Sequence, residues 1–253
     1  MSAIEADERV PPDLVQALKQ AGRIAVLTGA GMSAESGVPT FREAQTGLWA
    51  RYDPMDLATP EAFEREPGRV WDWYQWRREL IDQTRPNAGH HALAALEGRA
   101  GELTLITQNV DGFHQQAGSS EVLELHGNIA RSMCSITRKT IEQDWLDQHH
   151  DCSPVPSPHD PQGLARPDVV WFGESLNIDT LNAAFAAAAD CDLILVIGTS
   201  GLVHPAAGIP VLAVEQGAMM VEINPVASEL SRYARWRLQG GSATWLPRLL
   251  DSL

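Results

Sequence analysis

The chain has 253 residues, of which 44% are hydrophobic and 21% charged, as expected for one large globular domain or one domain carrying an insertion. Its formal net charge of −14 argues against nucleic acid as a direct partner, because neutralising phosphates requires clustered Lys and Arg. No apolar run could span a bilayer, no secretory signal is visible, and the three cysteines are odd in number, so we expect a cytoplasmic protein without a membrane partner.

The predicted elements alternate between strand and helix along most of the chain. Pro12 and Asp13 begin a short amphipathic helix, and the apolar run at 24–27 is typical of a buried parallel strand. Further strands are predicted at 103–107, 122–125, 192–197, 211–214 and 219–223, with helices at 90–97 and 181–189 between some of them. This alternation predicts an α/β fold with a Rossmann-like open parallel sheet, covered by helices on both faces.

Two segments interrupt the alternation. Residues 42–85 are rich in Trp and Arg at helical spacing and contain no convincing strand, and residues 127–165 join a polar helix to a proline-rich loop. We interpret both as insertions that together form a smaller lobe. The Rossmann-like domain then consists of residues 1–41, 86–126 and 166–253.

A glycine-rich turn follows the first predicted strand. Residues 29–34 read Gly-Ala-Gly-Met-Ser-Ala, which fits a G-x-G-x-x-G/A turn that brings the backbone close to a pyrophosphate at a helix N-terminus. The alternative is a tight strand-to-helix turn without a ligand. A dehydrogenase would also need an acidic residue at the end of a second strand about 20 residues later. Asp53 and Asp56 lie near that distance, but the residues around them do not form a strand pattern, which disfavours hydride transfer.

The turn is the first of several blocks that occur in the order typical of one enzyme family. Residues 29–42 read Gly-Ala-Gly-Met-Ser-Ala-Glu-Ser-Gly-Val-Pro-Thr-Phe-Arg, and residues 107–114 read Thr-Gln-Asn-Val-Asp-Gly-Phe-His. Similar blocks follow at 124–127, 166–174, 198–200, 203–207 and 223–225. Across nearly the whole chain this series resembles the sirtuin family. The resemblance implies an enzyme that consumes NAD and removes acyl groups from lysine side chains of proteins or peptides.

The resemblance also implies which residues surround the reacting groups. In sirtuins the acyl oxygen attacks the nicotinamide ribose and nicotinamide departs. Gln108, Asn109 and Asp111 would line the nicotinamide pocket, with Asn109 positioning a water or the ribose and Asp111 holding the carboxamide. His126 would be the general base that takes a proton from the ribose hydroxyls, a task that suits an imidazole near neutral pH. The predicted catalytic residues are therefore His126, Asn109 and Asp111.

The remaining predicted NAD contacts come from the same blocks. Phe41 would shield the reacting ribose, Arg42 would contact phosphate or reaction intermediates, and Ser242 matches a family position near the adenine. Thr199 and Ser200 follow a buried strand at the edge where open α/β folds bind ligands. The full set of predicted cofactor-binding residues is Gly29, Ala30, Gly31, Glu35, Phe41, Arg42, Gln108, Asn109, Val110, Asp111, Gly198, Thr199, Ser200, Asn224, Pro225 and Ser242.

Each of these residues also has a simpler interpretation. An isolated histidine at a strand end, as His126 would be by itself, is more often a hydrogen-bonded structural residue than a base. Its place in Leu-His-Gly, within the block series, favours the catalytic role. His114 is a second candidate, which we interpret as a structural helix residue. Arg42 could equally be solvated and Phe41 a core residue.

The predicted substrate contacts fall into two groups. Val170, Phe172 and Val203 lie in segments that resemble those between which the substrate peptide pairs as an added strand. Tyr74 and Arg77 are three residues apart and would share a helix face.

Together with a small residue at Ala58, the Tyr-x-x-Arg pair matches class III sirtuins, which prefer succinyl-, malonyl- or glutaryl-lysine. A phenol and a guanidinium could together hold the acyl carboxylate. The alternative is an aromatic helix packed on the core with its arginines solvated.

The expected metal site is incomplete. Sirtuins usually carry two Cys-x-x-Cys pairs that hold structural zinc, but here Cys134 is followed by Thr137, and Cys152 has no partner cysteine. His149, His150 and His159 do not match a known spacing for the missing ligands of a four-coordinate site. We therefore predict that 127–165 is a degenerate zinc module that binds no metal.

Two other functions remain open at this point. One is mono-ADP-ribosyl transfer, and the other is a non-catalytic module that senses NAD, which the missing cysteines suggest. The sequence leaves the oligomeric state undetermined.

Overall fold

The structure is a computed structural model, and it describes residues 4–5, 9–38 and 57–253. Phe41, Arg42, Asp53 and Asp56 lie outside the described residues. No helix within these ranges is long and apolar enough to cross a membrane.

Within the described residues, ten strands form two sheets. They are β1 (Ile4–Glu5), β2 (Arg23–Thr28), β3 (Glu102–Thr107), β4 (Val122–Glu124), β5 (Gly127–Cys134), β6 (Thr140–Ile141), β7 (Ala165–Val169), β8 (Leu193–Ile197), β9 (Met219–Asn224) and β10 (Trp236–Gln239).

In the part of the chain that the structure describes, ten helices connect and cover the strands. They are α1 (Pro12–Gln20), α2 (Gly31–Ala34), α3 (Pro60–Arg65), α4 (Pro67–Asp82), α5 (Ala88–Glu97), α6 (Phe113–Gln116), α7 (Gln143–Gln148), α8 (Ile178–Asp190), α9 (Gly208–Glu215) and α10 (Ser242–Asp251), with a short 3₁₀ helix at Ser231–Tyr233.

The large sheet confirms the predicted α/β class. Its strand order is β1-β10-β9-β8-β2-β3-β4, and every neighbouring pair is parallel. Strand β2 pairs with β3 on one side and with β8 on the other, so the chain reverses its direction of winding next to β2. In open α/β sheets the ligand crevice lies at such a point, outside the carboxyl ends of the strands.

Apolar residues on the two faces of this sheet form two separate cores. One core joins α1, α5 and α10 to the sheet and includes the fully buried Trp245. The other joins α8 and α9 to the opposite face, around Leu27, Val196 and Ile209. Strand β8 reads Leu-Ile-Leu-Val-Ile and is buried along its whole length, as a central parallel strand covered on both faces should be.

A three-stranded antiparallel sheet, in the order β6-β5-β7, lies in the segment predicted as the second insertion. Its strand β7 runs to Val169, past the predicted boundary at residue 165. Helices α3 and α4 occupy the first insertion, and their apolar side chains form a third core with Phe113, Ile129 and Trp171.

One strand prediction was wrong. Residues 211–214 belong to the helix α9 (Gly208–Glu215) and not to a strand. A short apolar run fits a buried strand and a buried helix equally well by periodicity. Here the helix packs closely on α8, and Pro210 sits in its first turn, where a missing N–H costs nothing. The predicted strands at 103–107, 122–125, 192–197 and 219–223 are confirmed to within a residue or two.

Candidate active site

The glycine-rich turn packs against the end of β8. The backbone N–H of Gly29 donates to Ile197 O at 2.9 Å, and that of Gly31 donates to Gly198 O at 2.8 Å. A Cβ atom on Gly31 would lie 2.7 Å from the Cα of Gly198, which itself has φ +62°. The glycines are therefore required by a close backbone approach between the two turns at the edge of the sheet.

Ser33, in the turn of helix that follows, is the centre of a buried hydrogen-bond network. Its hydroxyl donates to Asp111 Oδ2 at 2.7 Å and accepts from Asn109 Nδ2 at 3.2 Å. The other carboxylate oxygen of Asp111 accepts from the backbone N–H of Phe113 at 3.0 Å. Ser33 thus joins two of the predicted catalytic residues, Asn109 and Asp111, in one arrangement.

His90 extends this network away from the surface. Its Nδ1 accepts the backbone N–H of Asn87 at 3.2 Å, so its Nε2 carries the proton and donates to Ser33 Oγ at 3.4 Å. Burial, reinforced by the neighbouring His114 and His91, lowers the pKa of His90 to about 3. The imidazole therefore stays neutral and acts as a fixed donor.

The pKa of the buried Asp111 carboxyl is subject to opposing effects. Burial raises its pKa, while hydrogen bonds from Ser33 and Phe113 and the positive charge of Arg77 oppose that rise. Next to it, the backbone N–H of Asn109 donates to Thr107 Oγ1 at 3.0 Å. The Asn109 backbone is therefore held at the end of β3, and both side chains are held by Ser33 in α2.

His126 follows β4 and lies at the same sheet edge. Its Nδ1 is 3.0 Å from the carbonyl oxygen of Gln108. A carbonyl only accepts, so Nδ1 carries the proton and the lone pair is on Nε2. Burial lowers the pKa of His126, and the bond to Gln108 partly offsets that effect. These properties are those of a neutral imidazole with one basic nitrogen.

Three predicted NAD contacts meet where β3, β8 and β9 end. Gln108 Nε2 donates to Thr199 Oγ1 at 3.1 Å, and Asn224 Nδ2 donates to Thr199 O at 2.8 Å. Ser200 O accepts the backbone N–H of Glu229 at 3.2 Å, and Pro225 is exposed beside Asn224.

Glu35 and Ser242 form a second contact at the N-terminus of α10. The Glu35 carboxylate accepts the backbone N–H of Ala243 at 2.8 Å and lies 3.3 Å from Ser242 Oγ. Ser242 Oγ also donates to Met32 O at 3.2 Å. A carboxylate is favoured at a helix N-terminus, so Glu35 fastens α10 to the segment after the glycine-rich turn.

At the other end of the site, Ala58 and Tyr74 are buried in the same core, and Arg77 follows one turn later on α4. The Tyr74 side chain is 2% exposed, and Trp171 Nε1 donates to its hydroxyl at 3.0 Å. The Arg77 Cζ lies 4.9 Å from the centroid of the Trp73 ring and 5.5 Å from that of Tyr74. Burial raises the pKa of Tyr74 and lowers that of Arg77.

Two segments are predicted to bind a peptide, and the first of them contacts this end of the site. Val170 N donates to His126 O, and Phe172 N donates to Ala58 O, each at 2.9 Å. Phe172 is 40% exposed and Val203 is 44% exposed. The first segment is therefore attached on one side to His126 and on the other to Ala58.

Comparison with known proteins accounts for this arrangement. A family model described as the Sir2 family matches residues 29–205. The chain is 46% identical to NAD-dependent protein deacylase 1 of Pseudomonas aeruginosa, over 94% of this chain and 96% of the relative. It superposes on a Sir2 homologue in complex with NAD with a TM-score of 0.87 and 38% identity, covering 96% of this chain and 94% of the other. For a Sir2 complex with a p53 peptide and NAD⁺, the TM-score is 0.82 and the identity 29%, covering 95% and 97%.

The chain belongs to the Sir2 family. It is an NAD-dependent enzyme, as the sequence predicted, and its relatives are NAD-dependent protein deacylases. The residues at the sheet edge fit NAD. Thr199, Gln108 and Asn224 offer hydroxyl and amide groups suited to ribose hydroxyls, and the Asn109–Asp111 pair offers one donor and one acceptor suited to a carboxamide.

The surroundings of Cys134 do not fit the zinc site usual in the Sir2 family. Its sulfur accepts the backbone N–H of Thr137 at 3.4 Å and lies near Ser157. A Cβ on Gly163 would lie only 2.8 Å from this sulfur. Burial raises the pKa of Cys134, but hydrogen bonds with Ser157 and Thr137 outweigh it and lower the pKa overall. Hydroxyl and backbone groups thus surround the thiol, and the described part of the chain contains no cluster of three metal-ligating side chains.

Sequence reasoning missed three residues of this Sir2 site. Ser33 was inside the quoted glycine-rich motif but was given no role. His90 could have been noticed through the spacing Asn87-x-x-His90, since Asn87 caps α5 and His90 completes a capping box. Trp171 was only part of a peptide-pairing segment, and nothing in the sequence places it against Tyr74, 97 residues away.

Proposed function

We propose that the protein is an NAD-dependent protein-lysine deacylase that prefers acidic acyl groups, namely succinyl, malonyl or glutaryl. The observation that carries the acyl preference is Arg77. It is a partly buried guanidinium beside the buried hydroxyl of Tyr74, and within the described ranges it forms no ion pair.

A cation withdrawn from water is costly unless an anion compensates it. Asp111 attracts Arg77 electrostatically, but the two side chains form no ion pair within the described ranges. A carboxylate at the end of an acyl chain would supply the missing partner and could accept two parallel hydrogen bonds from the guanidinium. An acetyl group has no such carboxylate and would leave Arg77 uncompensated.

Ala58 supports the same preference through its size. It lies in the core that also contains Tyr74 and Trp171, and its carbonyl holds the backbone of Phe172. A small side chain here fills less of the space beside Tyr74 than a larger one would, which favours an acyl group longer than acetyl. Tyr74, Arg77 and Ala58 are therefore proposed as the acyl-binding residues, and Val170, Phe172 and Val203 as contacts of the peptide.

The chemistry proposed for the chain's own residues follows from their hydrogen bonds. Bound NAD supplies the ribose carbon at which the acyl oxygen reacts and the nicotinamide that leaves. His126, with its lone pair on Nε2, takes the proton of a ribose hydroxyl, and Gln108 O holds the ring in that tautomer. Ser33 and His90 keep Asn109 and Asp111 aimed at the carboxamide end of the pocket.

The other predicted NAD contacts remain part of this proposal. Gly29, Ala30 and Gly31 would approach the phosphates, and Gly198, Thr199, Ser200, Asn224 and Pro225 would surround the adenosine half.

We also propose that the small lobe folds without zinc, because neutral groups surround Cys134. The cytoplasmic location and the division into two lobes remain predictions.

One assay tests the reaction. The enzyme is incubated with NAD and three peptides that are identical except for a succinyl-lysine, an acetyl-lysine or an unmodified lysine, and the products are followed by mass spectrometry. We expect free-lysine peptide, nicotinamide and acyl-ADP-ribose, with the succinyl peptide consumed faster than the acetyl one. A peptide that gains ADP-ribose would instead indicate a mono-ADP-ribosyltransferase, and no turnover would indicate a module that only binds NAD.

A substitution tests the acyl preference. Arg77→Met keeps the length of the side chain but removes its charge, so the ratio of kcat/KM for succinyl over acetyl peptide should fall by about 100-fold. Arg69→Met is the matched control, since Arg69 is exposed on the same helix and pairs with Glu66. Equal loss of both activities in Arg77→Met would contradict the proposed acyl preference.

A further inference from the structure

The hydroxyl of Tyr74 has a fixed hydrogen-bonding role. Trp171 Nε1 lies 3.0 Å from it inside the core. An indole N–H can only donate, so the Tyr74 oxygen must accept this bond. The proton of the phenol is then left for another acceptor, and no side chain or carbonyl among the described residues takes it at hydrogen-bond distance.

Trp171 is held rigidly enough to impose this role. The Arg166 Cζ lies 3.4 Å from the centroid of its ring on one side, and the Phe63 ring centroid is 5.2 Å away. The backbone N–H of Trp171 donates to Glu174 Oε2 at 2.9 Å. Trp171 itself is 3% exposed.

The ion pair between Arg166, which lies over the indole ring, and Glu174 has a fixed geometry. Arg166 contacts both oxygens of Glu174, at 2.7 and 2.8 Å. Burial alone would raise the pKa of Glu174, but its bonds with Arg166, Trp171 and Arg138 bring that pKa down to about 2. The carboxylate therefore keeps its charge throughout the neutral range, and the indole keeps its orientation.

We propose that Trp171 is a positioning residue for acyl specificity: by donating to the Tyr74 oxygen, it leaves the phenol proton free to join Arg77 in binding an acyl carboxylate. This inference rests on the proposed function, because it names how the same pocket recognises its acidic substrate. A carboxylate only accepts hydrogen bonds, so it needs donors on every side. The Arg77 guanidinium also forms a hydrogen bond with the Tyr74 hydroxyl, but a bound carboxylate would compete for that donor. Without the indole N–H, the phenol proton would then have no imposed direction, and the Tyr74 oxygen would face the carboxylate as a repulsive acceptor part of the time.

Loss of the hydrogen bond from Trp171 to Tyr74 should affect only the binding of acidic acyl groups. Tyr74 would contact the far end of the acyl chain in the bound state and in the transition state alike, so losing its orientation removes uniform binding. Such a loss raises KM and leaves kcat nearly constant. An acetyl group does not reach a carboxylate-binding position, so its kinetics should not follow the same change.

The first variant is Trp171→Phe, which removes the N–H but keeps an aromatic ring between Arg166 and Phe63. The ratio of kcat/KM for succinyl over acetyl peptide should fall about tenfold, through KM for the succinyl peptide, as expected for one hydrogen bond that assists a charged group. Site-specific replacement of Trp171 by benzothienylalanine, in which sulfur takes the place of the indole N–H at equal volume, should give the same result if Trp171→Phe does not fold.

A double-mutant cycle separates positioning from general packing. Tyr74→Phe removes the hydroxyl that Trp171 orients, so adding Trp171→Phe to it should leave the succinyl-to-acetyl ratio unchanged. The positioning role is overturned if the effects of the two substitutions on the succinyl-to-acetyl ratio multiply as independent factors. It is also overturned if Trp171→Phe lowers both activities equally.

The wild type and Arg77→Met enzymes distinguish failure of this inference from failure of the proposed function. A wild-type enzyme that does not prefer the succinyl peptide overturns both. A wild-type enzyme that prefers it, and loses the preference in Arg77→Met but not in Trp171→Phe, overturns the role of Trp171 alone.

Discussion

The Nδ1 atom of His126 lies 3.0 Å from the carbonyl oxygen of Gln108, and this single bond determines which nitrogen of the ring can act as a base. Gln108 belongs to the block that also carries Asn109 and Asp111, and its side chain reaches Thr199 at 3.1 Å. Gln108 therefore orients the histidine through its backbone and contacts Thr199 through its side chain.

The pH dependence of the reaction should follow from the environment of His126. Burial lowers the pKa of this histidine below its ordinary value of 6.5, and only the neutral ring can accept a proton. Activity should therefore persist below pH 6.5 and fall only as the pH drops through the lowered pKa. The measurement is kcat/KM against pH, which reports the free enzyme, and an acid limb centred at or above pH 6.5 would contradict it.

His126→Asn tests the role of the same residue without removing its shape. An amide can still donate to Gln108 O, but it has no basic nitrogen, so kcat should fall by about 100- to 10,000-fold. Thermal unfolding of the variant should match the wild type closely. Retention of more than a tenth of the wild-type kcat would exclude His126 as the base.

Ser33→Ala should weaken the site by removing the centre of its hydrogen-bond network. The substitution leaves Asp111 Oδ2 and Asn109 Nδ2 without the partner that joins them, and each unsatisfied buried group costs about 1–3 kcal/mol. We expect the free energy of unfolding to fall by about that amount and kcat/KM to fall by roughly 10- to 100-fold. Urea unfolding and steady-state kinetics measure the two effects.

Ser175→Ala, at an exposed position after β7, is the control for Ser33→Ala and should change neither quantity. If Ser33→Ala unfolds at the wild-type urea concentration and keeps full activity, the network does not position Asn109 and Asp111.

Much of the site could be predicted because its residues directly follow apolar strands. Thr107, Ile197 and Asn224 are each the last residue of a parallel strand, and parallel strands end at one edge of a sheet, where ligands collect. A strand that is apolar throughout is easily identified in a sequence, so the blocks after it could be assigned to that edge. The pairing of β2 with β3 on one side and with β8 on the other then brings the residues after these strands together.

What could not be predicted depends on tertiary packing. Residues 211–214 are apolar in either conformation, and only the contact of α9 with α8 decides in favour of a helix. The bond from Trp171 to Tyr74 joins residues that are distant in sequence, and no local spacing encodes it. The tautomer of His126 also depends on a backbone carbonyl from another loop, which a sequence motif does not specify.

The small lobe should prove independent of zinc. Cys134 is surrounded by Thr137 and Ser157, so we expect its thiol to act as a small buried acceptor and not as one of four zinc ligands. Elemental analysis of the purified enzyme should find well under one zinc per chain, and a strong chelator should leave Tm unchanged. Cys134→Ala should cost only about 1 kcal/mol; one retained zinc per chain, or collapse of the lobe on chelation, would contradict the prediction.

As the pH is lowered, the protein should begin to lose stability at a higher pH than carboxyl titration alone would cause, because two histidines are buried in the neutral form. Burial lowers the pKa of His90 to about 3 and that of His114 to about 4, from an ordinary value of 6.5. Above pH 6.5 both rings are neutral in the folded and the unfolded chain, and they contribute no pH dependence. Between pH 6.5 and about 4 the unfolded chain binds protons that the folded chain does not, so the free energy of unfolding falls as the pH falls.

The size of this effect makes it measurable. Each histidine contributes about 1.4 kcal/mol per pH unit, so at pH 5 each should have removed about 2 kcal/mol. Asp111, with its raised pKa, changes the free energy of unfolding in the opposite direction as the pH falls, and for that reason the comparison is made between variants.

His114→Gln keeps a donor for Thr28, which lies 2.9 Å from His114 Nε2, and should make urea unfolding less dependent on pH between 6.5 and 5. His150→Gln, at an exposed position, should retain the wild-type slope, and equal slopes in all three proteins would show that the buried imidazoles are not the source of the acid sensitivity.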